Sequence, residues 1–243
     1  MDVAALTLVA AGTALATGLG ALPVTALGAR VVGWAPTLWG VAGGVMAVAA
    51  VVGLLSPAFE EADALVVLSG VAAGVIALRL ADSAIRRRDM HLGLLDADAS
   101  RRGLLVAGTL FAHSLPEGLA IGAAWASDSD VGVFVVIAIA IQNIPEGMVT
   151  ALPLTQAGMS GPRVFWGAVA TSAPQVPGAL LAFWAVTAAD GLLGFSFGLA
   201  AGAMLALVVL EIVPAAATRP RAGFAGATLG SITMILLANV LGA

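Results

Sequence analysis

Apolar residues run through this chain in long uninterrupted stretches, with polar positions confined to short gaps and to a few isolated places inside the stretches. Windows of about 20 apolar residues, the length that crosses a bilayer core, recur near 4–28, 35–58, 64–85, 103–126, 131–154, 164–188, 193–214 and 222–242. The pattern predicts an all-α, polytopic membrane protein with eight transmembrane helices. Little chain is left between the runs, so residues 1–243 read as a single transmembrane domain. The opening MDVAALTLV has no basic stretch and leads into a run long enough to span. That predicts a retained first helix, not a cleaved signal peptide.

Composition supports this reading. The 243 residues are 60% hydrophobic and 10% charged, where a soluble domain carries about 25% charged residues. Thirty glycines suit helices that approach closely in lipid. The absence of cysteine excludes disulfides and thiolate metal sites. No phosphate-binding loop is present, and neither an enzyme, a prosthetic group nor a nucleic-acid partner is expected.

Charge sets the predicted orientation. The basic residues are ten arginines, Arg30, Arg79, Arg86, Arg87, Arg88, Arg101, Arg102, Arg163, Arg219 and Arg221. All but Arg79 fall in or beside odd-numbered connections. The N-terminus and the even-numbered connections carry only acids: Asp2, Glu60, Glu61, Asp63, Asp128, Asp130 and Asp190. The positive-inside rule then puts both termini outside the cell and the Arg-rich 86–102 loop in the cytoplasm of a multi-pass cell (inner or plasma) membrane protein.

The candidate chemistry lies in the fourth and fifth runs, which carry HSLPEG at 113–118 and QNIPEG at 142–147. Counting outward to the SDSD turn at about 1.5 Å per residue places both roughly 20 Å from the outer end, near mid-bilayer. Gln175, in TSAPQVPG, returns to nearly the same level from the cytoplasmic side. The i, i+4 spacing puts His113 with Glu117, and Gln142 with Glu146, on single helix faces. Pro116, Pro145, Pro174 and Pro177 are expected to free the carbonyls of Ala112, Ile141, Ala170 and Ala173 beside these groups. One imidazole and two carboxylates form a mixed N/O set that suits Zn²⁺ and its neighbours. Two carboxylates at this depth are costly without a balancing charge. A doubly positive ion supplies it, and its entry would release protons. The plainer alternatives are a His113–Glu117 hydrogen bond stiffening a kink, and a Glu146 pairing with a distant arginine.

In this order the motifs resemble the ZIP family of divalent metal transporters, in particular its prokaryotic GufA-like branch. ATGLGALPV at 16–24, GGVMAVAAVVGLLSPAFEEA at 43–62 and AAGAMLALVVLEIVP at 200–214 are similar to its first, second and seventh helices. The resemblance implies a metal site between helices two, four, five and six, an elevator-like movement of one helix group past another, and a homodimer. Carried over by position, it implies His113, Glu117, Gln142 and Glu146 as primary ligands, with Met46 as a soft sulfur ligand or simply a core filler. Gln175 either touches the ion through its carbonyl or holds Glu146 in place. Ser114, Asn143 and Gln175 stand where the family usually has asparagine, an acid and glutamate, the residues of a second metal position. One tightly held ion per subunit is therefore expected, with the second position weak or empty. Glu211 is either an acid on the exit path or an interfacial acid near Arg219.

The expected function is uptake of divalent metal, Zn²⁺ first and Fe²⁺, Mn²⁺ or Cd²⁺ next, into the cytoplasm by alternating access. The rivals are a proton or monovalent-cation pathway and a non-transporting metal sensor. His91 with Asp89, Asp96 and Asp98 reads as a solvated loop, and Asp82 with Arg79 and Arg86 as an intrahelical ion-pair set. Gly194, Gly198 and Gly202 have the spacing of a close helix contact.

Overall fold

The computed structural model describes residues 2–86, 97–127 and 129–241, and these contain helices and turns but no strand. The long helices are α1 (Val3–Leu27), α2 (Ala35–Glu61), α3 (Ala64–Arg86), α4 (Ala97–Ser127), α5 (Ser129–Gln156), α6 (Gly161–Ala188), α7 (Leu193–Ala216) and α8 (Pro220–Leu241). All except α4 are counted as long and apolar enough to cross a membrane, seven among the described residues. α4 covers the fourth predicted run and packs among the others. These are the features of a multi-pass membrane protein. Most of the Arg-rich segment, with Asp89, His91 and Asp96, lies outside the described residues, as does Asp128. Asp98, Arg101 and Arg102 belong to the first turns of α4.

Glycine decides which helices pair. In lipid there is no hydrophobic drive between helices, so association depends on dispersion and on how near the backbones come. A Cβ on Gly40 or Gly44 of α2 would strike the carbonyl of Gly223 or Ala227 on α8, and one on Gly226 or Gly230 would strike Thr37 or Val41 in return. α3 and α7 interlock in the same way, Gly70 and Gly74 against Phe195 and Leu199, and Gly198 and Gly202 against Val67 and Val71. The small-residue spacing on α7 is thus a helix contact, as expected. Gly20 of α1 meets Ile144 of α5, and Gly147 meets Thr17. Gly118 and Gly122 of α4 meet Gln175 and Ala179 of α6.

The pairs assemble into two groups. α1, α4, α5 and α6 contact one another through the α1–α5, α4–α6, α4–α5 and α1–α6 faces. α2, α3, α7 and α8 are joined through α2–α8, α3–α7 and α2–α7. The groups meet chiefly along α2–α5 and α4–α7.

Three helices depart from regular α geometry. α2 widens to a π segment at Ala49–Leu55 and α7 at Val208–Ile212, each just before a proline, Pro57 or Pro214. The wider turn accommodates a ring that would otherwise press on the preceding carbonyl. α6 is interrupted after Thr171 and restarts at Gln175. Pro116 and Pro145, by contrast, sit inside continuous helices.

The interruption overturns one expectation. The Ala170 and Ala173 carbonyls are not left open: Ala173 N–H donates to Ala170 O at 3.2 Å, and Val176 N–H to Ala173 O at 3.3 Å. The chain tightens to i→i+3 bonding across Pro174 and Pro177, so donors three residues on replace those the prolines remove.

Candidate metal-binding site

All the buried polar side chains of the described residues belong to the α1, α4, α5 and α6 group. They are Thr13, Thr17, His113, Ser114, Glu117, Gln142, Asn143, Glu146, Thr150, Thr171, Ser172 and Gln175. The α2, α3, α7 and α8 group is apolar where it is buried. Polar groups at such depth persist only where they satisfy one another or serve a ligand.

The layer centres on Glu117, which is 1% exposed. Gln142 Nε2 donates to Glu117 Oε1 at 2.5 Å, and Gln175 Nε2 donates to Glu117 Oε2 at 2.7 Å. Three consecutive helices, α4, α5 and α6, therefore meet at one carboxylate. α4 and α5 bring Glu117 and Gln142 together because α4 ends at Ser127, α5 begins at Ser129, and the two pack side by side. Gln175 reaches it because α6 restarts at that residue, against Gly118. Glu146, 5% exposed, is buried on the adjoining helix α5. Gln175 thus holds Glu117, where the sequence offered either a carbonyl contact to the ion or a hold on Glu146.

Behind Gln175 a second tier of bonds runs into α1. Thr13 Oγ1 lies 2.8 Å from Gln175 Oε1, and Asn143 Nδ2 donates to Thr13 O at 2.7 Å and to Gln175 Oε1 at 3.3 Å. Thr17 and Ser172 hydroxyls pair at 2.6 Å beside the α6 interruption. Gln142 Oε1 and Asn143 Oδ1 are buried and accept no hydrogen bond from any described residue.

Two sulfurs come from the opposite helix group. Met46 of α2 and Met204 of α7 line a closed seam, with no room for a water, together with His113, Pro116, Glu117, Leu78, Ala203 and Leu207. A neighbouring narrow gap is lined by His113, Leu78, Arg79, Asp82, Leu210 and Glu211. His113 therefore faces both. Among the described residues no three His, Asp or Glu side chains converge on a common point. An ion held by the two carboxylates would draw further ligands from the open Gln142 Oε1 or from sulfur.

Sequence reasoning missed Thr13 and Met204. Thr13 carries no signal, being one hydroxyl residue in an alanine-rich run. Met204 lies within the AAGAMLALVV stretch and could have been matched with Met46. Ser114 is buried on α4 beside His113, while Glu60, Glu61 and Asp63 are exposed at the α2–α3 connection.

The sequence is similar to those of known transporters. The family model described as ZIP zinc transporter matches residues 81–238. An Arabidopsis thaliana protein named only provisionally as a zinc transporter is 34% identical over 208 residues, 83% of this chain and 33% of its own length. Zinc transporter GufA of Myxococcus xanthus is 33% identical over 131 residues, 53% of this chain and 50% of its own. Zinc transporter ZIPB of Bordetella bronchiseptica is 34% identical over 128 residues, 52% and 41% respectively. The chain thus spans between a third and a half of the length of these relatives. With the family's match covering well over half of the sequence, including both PEG motifs, the chain belongs to the ZIP zinc transporter family.

Proposed function

We propose that this protein carries divalent metal, Zn²⁺ first among the candidates and Fe²⁺, Mn²⁺ or Cd²⁺ after it, across the cell membrane into the cytoplasm. The single observation that carries this reading is the burial of two acids, Glu117 and Glu146, on the packed helices α4 and α5. A doubly positive ion between them offsets a charge cost that neither side chain can meet alone in low dielectric. Eight membrane-crossing helices with both termini outside, and a homodimer, complete the arrangement we propose.

The ligands in this reading are His113, Glu117, Gln142 and Glu146, with sulfur from Met46 and Met204 at the boundary between helix groups. His113 and Glu117 supply imidazole nitrogen and carboxylate oxygen, both good zinc donors. Ser114, Asn143 and Gln175 cannot supply the carboxylates of a second position, so each subunit holds one ion firmly. Alternating access would come from the α1, α4, α5 and α6 group shifting against the α2, α3, α7 and α8 group. Two observations support that division. Among the described residues all the buried polar ones ride on the first group, and the boundary between the groups runs past His113. Glu211 and Asp82 then stand along the exit path, next to the gap that His113 also lines.

The test is uptake of Zn²⁺, Fe²⁺, Mn²⁺ and Cd²⁺ into proteoliposomes by the full chain and by Glu117→Ala and Glu146→Ala. Metal-dependent flux in the wild type that both substitutions abolish is expected. An inert wild type would refute transport.

A further inference from the structure

We propose that Thr13 is a positioning residue, which locks the Gln175 amide so that hydrogen-bond donors occupy the place a second cation would need beside Glu117. The inference rests on the metal-site reading above and deepens it.

A carboxylate oxygen can present its lone pair to an N–H or to a cation, and the two compete. Both Glu117 oxygens already accept from amides, Oε1 from Gln142 and Oε2 from Gln175. Whether Gln175 blocks or admits an ion depends on which end of its amide faces Glu117. Two amide bonds fix that choice, and the Thr13 hydroxyl, which also lies 2.8 Å from the Ala10 carbonyl, completes the set by donating to Oε1 of Gln175. Its Oε1 receives Asn143 Nδ2 at 3.3 Å and faces the Thr13 hydroxyl at 2.8 Å, while its Nε2 donates to Glu117 Oε2 at 2.7 Å. Turning the amide over would set donor against donor at Asn143 and acceptor against acceptor at Glu117, leaving buried groups without partners.

Asn143 is fixed in turn by the same residue, since its Nδ2 donates to the Thr13 carbonyl at 2.7 Å. Thr13 therefore touches both amides, one through its side chain and one through its backbone. Its own place is set by the α1–α5 contact, where Gly20 and Gly147 let the two backbones meet. All the groups involved are buried, so water does not replace a lost bond readily. The Gln175 side of Glu117 is thereby closed to cations. An ion reaches Glu117 only by displacing the Gln142 Nε2 donor from Oε1.

The test uses the purified full chain with Zn²⁺ itself, by calorimetry and metal analysis per folded molecule, together with proteoliposome kinetics. Wild type should bind one Zn²⁺. Thr13→Val, which keeps the shape and loses the hydroxyl, should raise the Zn²⁺ dissociation constant and KM about fivefold, the weight of one ordinary hydrogen bond, with Vmax unchanged. Thr13→Ser should restore both values. Gln175→Glu exchanges the donor for an acceptor and should bind a second Zn²⁺, a result that does not depend on whether Thr13→Val folds. Wild-type affinity in Thr13→Val, or a single ion in Gln175→Glu, would overturn the proposal. Silent variants of a wild type that binds Zn²⁺ would sink this inference alone; a wild type that binds no Zn²⁺ would sink the transport reading with it.

Discussion

Gln175 and Glu117 stand 58 residues apart in the chain, yet the Gln175 amide donates to the Glu117 carboxylate at 2.7 Å. The bond forms where α6 breaks and restarts, at the point where Gly118 lets α4 come against the Gln175 backbone. An interrupted helix and a glycine contact thus deliver one amide to one buried acid. Removing either partner leaves the other exposed to a polar deficit.

Glu117→Ala should therefore do more than abolish uptake. It strands the Nε2 groups of Gln142 and Gln175 in a buried layer, at about 1–3 kcal/mol each. Thermal unfolding in detergent should occur at a lower temperature than for wild type, measured alongside flux.

Glu146→Gln should behave oppositely. It replaces one of two buried acids in the layer with a neutral amide and should raise the metal-free unfolding temperature by a few degrees, roughly 1 kcal/mol for a chain of this size. Uptake should still fall to background. A gain in stability with a loss of function is the pattern of a site that holds strain for its ligand.

Backbone contact predicts a sharp contrast between two glycines. Gly147→Ala drives a methyl into the Thr17 carbonyl and should cost about 1–3 kcal/mol as overpacking. It should also separate α1 from α5, lowering the yield of monodisperse protein. Gly12→Ala has nothing within 4 Å of the new methyl and should be neutral or slightly stabilising.

Met46→Leu keeps volume and loses sulfur. Because softer ions gain more from a thioether, Cd²⁺ uptake should fall several-fold more than Mn²⁺ uptake in direct competition. Equal effects on both ions would assign Met46 to packing.

Much of this was legible before any coordinates. Apolar run lengths located the helices, and counting residues to the turns set Glu117, Gln142 and Gln175 at one depth. The meeting of Gln142 and Gln175 at Glu117 agrees with that depth reckoning. Thr13 was invisible because its role exists only after α1 docks on α5 and α6, and no local pattern encodes that approach. The fate of the Ala170 and Ala173 carbonyls was misjudged for a related reason. Proline removes a known donor, but the chain was free to tighten and supply another three residues on. Most glycine pairings were equally hidden, since each depends on which helix lies opposite. Only the regular run on α7 stood out.

The most direct measurement is an anomalous diffraction map of the Zn²⁺-loaded protein at the zinc edge. The account predicts one strong peak per chain, about 2.0–2.2 Å from carboxylate oxygens of both Glu117 and Glu146. A zinc-loaded structure with no ion between those two carboxylates, or with either of them turned toward lipid, would contradict it.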